Sequence, residues 1–118
     1  MKGICHIFIC RLYWHEAFAS HAYQGGGFMT AIRIAGIGVG GIFRAHLRGY
    51  KTLSDSFSLV ALCDINEEAA QRIAEENKIQ RVYTSVEALL KDGDIDAVDI
   101  CLPHDLHAPV AIAAAEAG

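Results

Sequence analysis

From residue 31 onward the chain switches between two hydrophobic periods. Short, unbroken β-branched runs alternate with longer stretches whose apolar residues recur every three or four positions. Ile32-Arg33-Ile34-Ala35-Gly36-Ile37 is the first such run and predicts a strand, followed by a helix from about Gly40 to Lys51 with Ile42, Ala45 and Gly49 on one face. Phe57 to Cys63 predicts a second buried strand. Asn66 is placed to cap a helix through about Lys78, with Ala69, Ala70, Ile73 and Ala74 toward the sheet and Glu67, Glu68, Glu75 and Glu76 toward water. Gln80 to Tyr83 reads as a short third strand. Thr84 and Glu87 form a capping box for a helix that carries Val86, Leu89 and Leu90 and stops near Gly93. Asp96 to Cys101 is the fourth strand, and an alanine-rich helix is expected from His107 to Gly118 with Pro109 in its first turn.

Strand and helix in strict alternation make a parallel sheet with right-handed crossovers. The predicted fold class is α/β, a doubly wound parallel sheet of the Rossmann type, incomplete, with strand order 3-2-1-4. Ligands of such sheets bind at the carboxyl ends of the strands where the order reverses, here between the first and fourth. That sets the loop Leu102-Pro103-His104-Asp105-Leu106 across a crevice from the first strand-to-helix turn. With the fourth strand outermost, its free edge and an apolar helix face predict self-association unless something covers them.

The turn itself carries the chemistry. Gly36, Gly38 and Gly41 have the spacing G-x-G-x-x-G directly after a strand and before a helix, which reads as a dinucleotide pyrophosphate site. In that reading Gly36 permits the tight turn, Gly38 lets backbone approach the phosphates, and Gly41 lets the helix lie close on the sheet. Free N–H groups and the macrodipole at the helix N-terminus would receive the anion. Asp64 ends the second strand a little over twenty residues later, where a carboxylate can accept hydrogen bonds from the adenosine ribose. The plainer alternative is that Asp64 only exits its strand or caps a helix. A carboxylate there repels a 2′-phosphate, and neither Ile65 nor Asn66 offsets it, so the expected cofactor is NAD rather than NADP. S-adenosylmethionine methyltransferases also place glycines and an acid at these points, but usually with an acid just before the glycines, where Ile34 and Ala35 stand here.

At 118 residues the chain is one domain's worth of material. A net charge of −4 argues against nucleic acid as the main partner. No apolar run approaches the ~20 residues that span a bilayer. Cys63 and Cys101 end buried strands as small hydrophobes, and no secreted disulfide framework is present, which together point to a reducing, cytoplasmic setting.

Residues 1–28 stand outside this plan as an irregular extension without a consistent period. Cys5, Cys10, His15 and His21 invite a zinc reading, but their central spacer is too short for a ββα finger of the usual ~12-residue separation. Arg11, His15 and Glu16 interrupt any signal-peptide core. Gln24-Gly25-Gly26 can be encoded by a purine-rich ribosome-binding sequence, so the expectation is that translation starts at Met29 and that residues 29–118 form a partial dinucleotide-binding domain.

Taken together, Gly36-Ile37-Gly38-Val39-Gly40-Gly41 with His46, Val60-Ala61-Leu62-Cys63-Asp64, Tyr83-Thr84-Ser85-Val86-Glu87-Ala88-Leu89-Leu90, and Ile95 to Pro103 leading to His107 and Ala114-Ala115-Glu116-Ala117-Gly118 resemble the N-terminal domain of the glucose–fructose oxidoreductase / inositol dehydrogenase / MocA family. The resemblance covers Ala31 to Gly118. It implies a hydride-transferring oxidoreductase of sugars, cyclitols or related polyols, a small-molecule partner, NAD as cofactor, and a homo-oligomer at full length. The cofactor-binding residues it implies are Gly36, Gly38, Val39, Gly40, Gly41, Ile42, Asp64, Leu102, Pro103, His104 and His107. Leu102-Pro103-His104 stands where the family often has Thr-Pro-Asn. The family's Glu-Lys-Pro motif and substrate domain would follow Gly118, so no catalytic residue is expected within the chain, which reads as a truncated product. His46 is expected to pack or cap rather than catalyse, and His104, Asp105 and His107 to line the pocket rather than hold a metal. A dinucleotide-sensing module without turnover is the alternative reading, since fold does not fix function.

Overall fold

The computed structural model describes the backbone of residues 7–10 and all of residues 31–118. Its elements are β1 (Ile7–Cys10), β2 (Ile32–Ile37), α1 (Gly41–Thr52), β3 (Phe57–Cys63), α2 (Glu67–Asn77), β4 (Arg81–Tyr83), α3 (Val86–Leu90), β5 (Ala97–Ile100) and α4 (His104–Ala117). The sheet runs in the order β4-β3-β2-β5-β1. β2 pairs parallel with both β3 and β5, and β3 parallel with β4, so the four strands expected from the hydrophobic runs lie as 3-2-1-4.

Side chains alternate across the sheet and build a core on each face. Ala35, Ile37, Ala61, Cys63, Val98 and Ile100 meet Leu89 of α3 and Ala114 of α4 on one side. On the other, Val39 and Leu62 meet Phe43 of α1 and Ala70, Ile73 and Ala74 of α2. The alanine stripe of α2 is therefore inward as the pattern predicts, and its four glutamates are exposed. Asn66 caps α2 through a bond from the Ala69 N–H, and Lys78 ends it in a left-handed conformation.

Four expectations need correction. The buried face of α1 is not Ile42, Ala45 and Gly49 but Phe43 and Tyr50, flanked by half-buried His46 and Leu47. The cap of α3 is Ser85, whose hydroxyl accepts from the Ala88 N–H, not Thr84. α4 begins at His104 rather than His107, so Pro109 lies inside the helix, where it removes the bond to the Asp105 carbonyl. Lastly, the outer edge of β5 is not bare. Ile7–Cys10 lies antiparallel along it, with Ile7 opposite Ile100 and Cys10 opposite Ala97. An Ile-Phe-Ile-Cys run has high strand propensity, and an exposed row of backbone donors and acceptors is a template for one. The expected Met29 start and the Cys5, His15 and His21 zinc reading fall outside the described residues.

Candidate functional site

The carboxyl ends of β2, β3 and β5 are tied together by backbone hydrogen bonds. The Gly38 N–H donates to the Cys63 carbonyl at 2.8 Å, and the Cys101 N–H to the Ile37 carbonyl at 2.8 Å. Between them the chain turns through Gly38 at φ +88°, a conformation that side chains disfavour. A Cβ on Gly38 would stand 2.5 Å from the Cys101 carbonyl oxygen and 3.0 Å from a Leu102 methyl. The glycine turn and the loop after β5 are thus in contact, as the crevice requires.

The glycine roles are shared out differently from the motif reading. Close helix-on-strand packing falls on Gly36, where a Cβ would meet the Phe43 ring at 2.3 Å, and not on Gly41, around which a Cβ meets nothing within 4 Å. The tight turn is made by Gly38 rather than by Gly36, which lies buried within β2. Gly40 and Gly41 are exposed, and the N-cap of α1 carries no side-chain cap and no acidic residue in its first turn. Their N–H groups remain available to an anion. An open glycine cradle at an uncapped helix N-terminus fits a pyrophosphate.

Asp64 is more than a strand exit. One carboxylate oxygen accepts the Val39 N–H at 2.9 Å and the other the Asn66 N–H at 2.8 Å, joining the glycine turn to the start of α2. Each oxygen keeps a second lone pair, enough for the two ribose hydroxyls. Beside it Ile65 is 94 % exposed, and the Asn66 side chain is engaged as a cap. Across the crevice, half-buried Leu102 and exposed Pro103 and His104 lead into α4. His107 is buried, its Nε2 lies 2.6 Å from the Leu102 carbonyl, and its ring stacks on His104 at 5.6 Å. That contact closes the loop from beneath. Nδ1 of His107 is buried without a partner among the described residues.

One constellation escapes the motif reading. Asp99 is fully buried in β5, and one of its oxygens lies 2.7 Å from both the Tyr50 hydroxyl and His46 Nδ1. Cys101 Sγ stands 3.5 Å from His46 Nδ1 and 3.5 Å from the other Asp99 oxygen. His46, Asp99 and Cys101 are metal-type donors, yet two ligands on one tetrahedral zinc stand about 3.3 Å apart. The 2.7 Å His46–Asp99 separation is that of a hydrogen bond instead. His104, Asp105 and His107 do not converge on such a centre. The signal that could have found the cluster is an aspartate inside an otherwise apolar strand.

Burial pushes the Cys63 thiol up to about 11, and burial with the neighbouring Asp99 charge pushes Cys101 up to about 12. Both thiols have raised folded pKa values, so between about 9 and 11 the unfolded chain loses protons that the folded chain keeps. Stability is therefore expected to be intact below about pH 8.5 and to decline as pH rises toward 11. Melting temperatures at pH 7.5 and 10 check this: the decline should shrink in Cys63→Ala and shrink further in Cys63→Ala with Cys101→Ala, and an equal decline in the double variant would remove thiol ionisation as its cause.

Comparison with known proteins agrees with this fold. The model of the Gfo/Idh/MocA oxidoreductase family, NAD-binding Rossmann fold, matches residues 32–118. The chain is 30 % identical over 86 residues to myo-inositol 2-dehydrogenase of Thermotoga maritima, covering 73 % of this chain and 25 % of that protein. It is 38 % identical over 84 residues to D-xylose 1-dehydrogenase (NADP(+)) 2 of Haloferax volcanii, covering 71 % and 24 %. Among solved structures, the WlbA dehydrogenase of Bordetella pertussis in complex with NADH and UDP-GlcNAcA superposes with a TM-score of 0.70 at 32 % identity, over 75 % of this chain and 27 % of that one. The chain spans about a quarter of the length of these relatives. Among the described residues no helix is long and apolar enough to cross a membrane. With the glycine turn, the acid after β3 and the strand order all in place, the chain belongs to the Gfo/Idh/MocA oxidoreductase family and carries its NAD-binding Rossmann fold.

Proposed function

We propose that this chain is the cofactor-binding part of a dehydrogenase that moves a hydride between NAD and a sugar, cyclitol or related polyol. The observation that carries the reading is Asp64, held by the Val39 and Asn66 N–H groups at the mouth of the glycine turn with both oxygens able to accept further bonds. In this reading Gly38 and Val39 shape the turn, the N–H groups of Gly40, Gly41 and Ile42 hold the pyrophosphate, Gly36 lets α1 approach, and Asp64 holds the adenosine ribose. Leu102, Pro103 and His104 flank the nicotinamide side, with His107 supporting them from below. Bound NAD supplies the hydride chemistry, and the protein supplies position and electrostatics. Relatives named for inositol and xylose support the polyol class. The reading also takes the whole protein as a cytoplasmic homo-oligomer, supported for the compartment by the free thiols of Cys63 and Cys101.

Calorimetric titration of the 118-residue chain with NAD is expected to show saturable, weak binding. Incubation with NAD and myo-inositol or D-xylose should yield no NADH, because no Glu-Lys-Pro lysine lies among its residues and hydride transfer depends on holding both reactants in register. Absence of NAD binding would overturn the cofactor assignment. Robust turnover would overturn the division of labour between this region and a substrate domain.

A further inference from the structure

β5 is buried on both faces, and a strand in that position is ordinarily a continuous apolar run. Asp99 breaks it at 0 % exposure. Replacing an entire buried cluster of ionic and polar side chains with well-packed apolar ones is often neutral or stabilising, so stability alone is a weak reason for building this cluster around a carboxylate. Its partners suggest another. His46 and Tyr50 stand four residues apart on one face of α1, and both point to the same Asp99 oxygen. Apolar packing of a helix on a sheet is non-directional and tolerates sliding, whereas two short bonds to a buried charge fix position along and around the helix axis.

The two elements joined this way are the two walls of the crevice. α1 opens at the glycine cradle. β5 leads through Cys101, whose carbonyl abuts Gly38 and whose thiol touches both His46 and Asp99, into Leu102, Pro103 and His104. We propose that Asp99, acting through His46 and Tyr50, is a positioning residue that sets the gap between the glycine turn and the Cys101–His104 loop, and so the placement of the nicotinamide half of the cofactor. Burial and the Asp99 charge both raise the Tyr50 hydroxyl and the Cys101 thiol, which keeps each protonated as a donor to the carboxylate.

The inference rests on the NAD reading of the crevice, and the experiment separates the two. The full chain and its Asp99→Val, Asp99→Asn and Tyr50→Phe variants are titrated with NAD and with ADP, and amide hydrogen exchange is followed at Gly38, Cys101 and Leu102. ADP reaches only the glycine turn and Asp64, while NAD also spans to the β5 loop. Asp99→Val, which takes away the acceptor of the buried Tyr50 hydroxyl, should lower the melting temperature and, in the folded fraction, lose about tenfold in NAD affinity while ADP stays within about twofold, and exchange about tenfold faster at Cys101 and Leu102. Tyr50→Phe, which keeps the ring, should lose about threefold for NAD, and Asp99→Asn, which keeps an acceptor, should stay near the parent. An unchanged NAD-to-ADP ratio in Tyr50→Phe, together with unchanged exchange at Cys101 and Leu102, overturns the proposal even if Asp99→Val fails to fold. A parent that binds neither nucleotide overturns the cofactor reading, while the exchange rates still decide whether Asp99 positions the loop.

Discussion

Gly38→Ala should weaken NAD binding by at least about a hundredfold. Two independent penalties meet at this position. The backbone sits at φ +88°, where a side chain costs roughly 1–2 kcal/mol, and the added methyl would lie 2.5 Å from the Cys101 carbonyl oxygen. That oxygen belongs to a residue held by its own N–H bond to the Ile37 carbonyl, so the turn has to open instead, taking the Gly40 and Gly41 N–H groups away from the phosphates and the Val39 N–H away from Asp64. A loss of about 2.7 kcal/mol is a hundredfold in affinity, and strain with a displaced cradle reaches that. Gly36→Val should act through the fold, by driving the buried Phe43 ring and with it α1 off the strand. Gly49→Ala, in open space on the exposed face of α1, should leave binding unchanged and raise the melting temperature slightly. Nucleotide titration and thermal melts of the three variants check the set. Parent-like NAD affinity in folded Gly38→Ala would remove the glycine turn from the site.

What was legible in the sequence was whatever rests on period and spacing. The strand order follows from alternation and handedness, and the glycine spacing located the crevice because only a backbone-lined turn needs glycines there. The misread face of α1 comes from polar residues doing apolar work. His46 and Tyr50 lie on the buried face of α1 because Asp99 satisfies them, a long-range pairing between residues about fifty positions apart that no helical period encodes. The start of α4 was misplaced because Pro109 reads as a first-turn residue, while Pro103 at the true N-cap offers no side-chain cap to mark it. β1 was missed for a different reason. Four residues carry too little alternation to stand out, and their strand conformation depends on the edge of β5, which lies nearly ninety positions away in the chain. Cofactor preference falls between these cases, since Asp64 was legible while its bonds to the Val39 and Asn66 N–H groups were not.

Those bonds shape the second large effect. In the double variant Asp64→Ser with Ile65→Arg, NAD affinity is expected to fall by about tenfold to a hundredfold while NADP affinity rises, reversing the preference for NAD. Hydrogen bonds from ribose hydroxyls to a carboxylate are worth roughly 1.5–3 kcal/mol, and the same charge opposes a 2′-phosphate. Ile65 is 94 % exposed, so an arginine there has room to reach that phosphate without disturbing the core. Serine retains one oxygen for the Val39 or the Asn66 N–H but not both, so part of the loss for NAD comes from a looser glycine turn. That part should be shared by NADP. The single variant Ile65→Arg separates the contributions: it keeps the turn intact and should raise NADP affinity modestly with little change for NAD. Parallel titrations of both cofactors into parent, single and double variants decide the matter. A parent that already prefers NADP, or a double variant whose ratio of affinities matches the parent's, would show that Asp64 holds the turn together without reading the ribose.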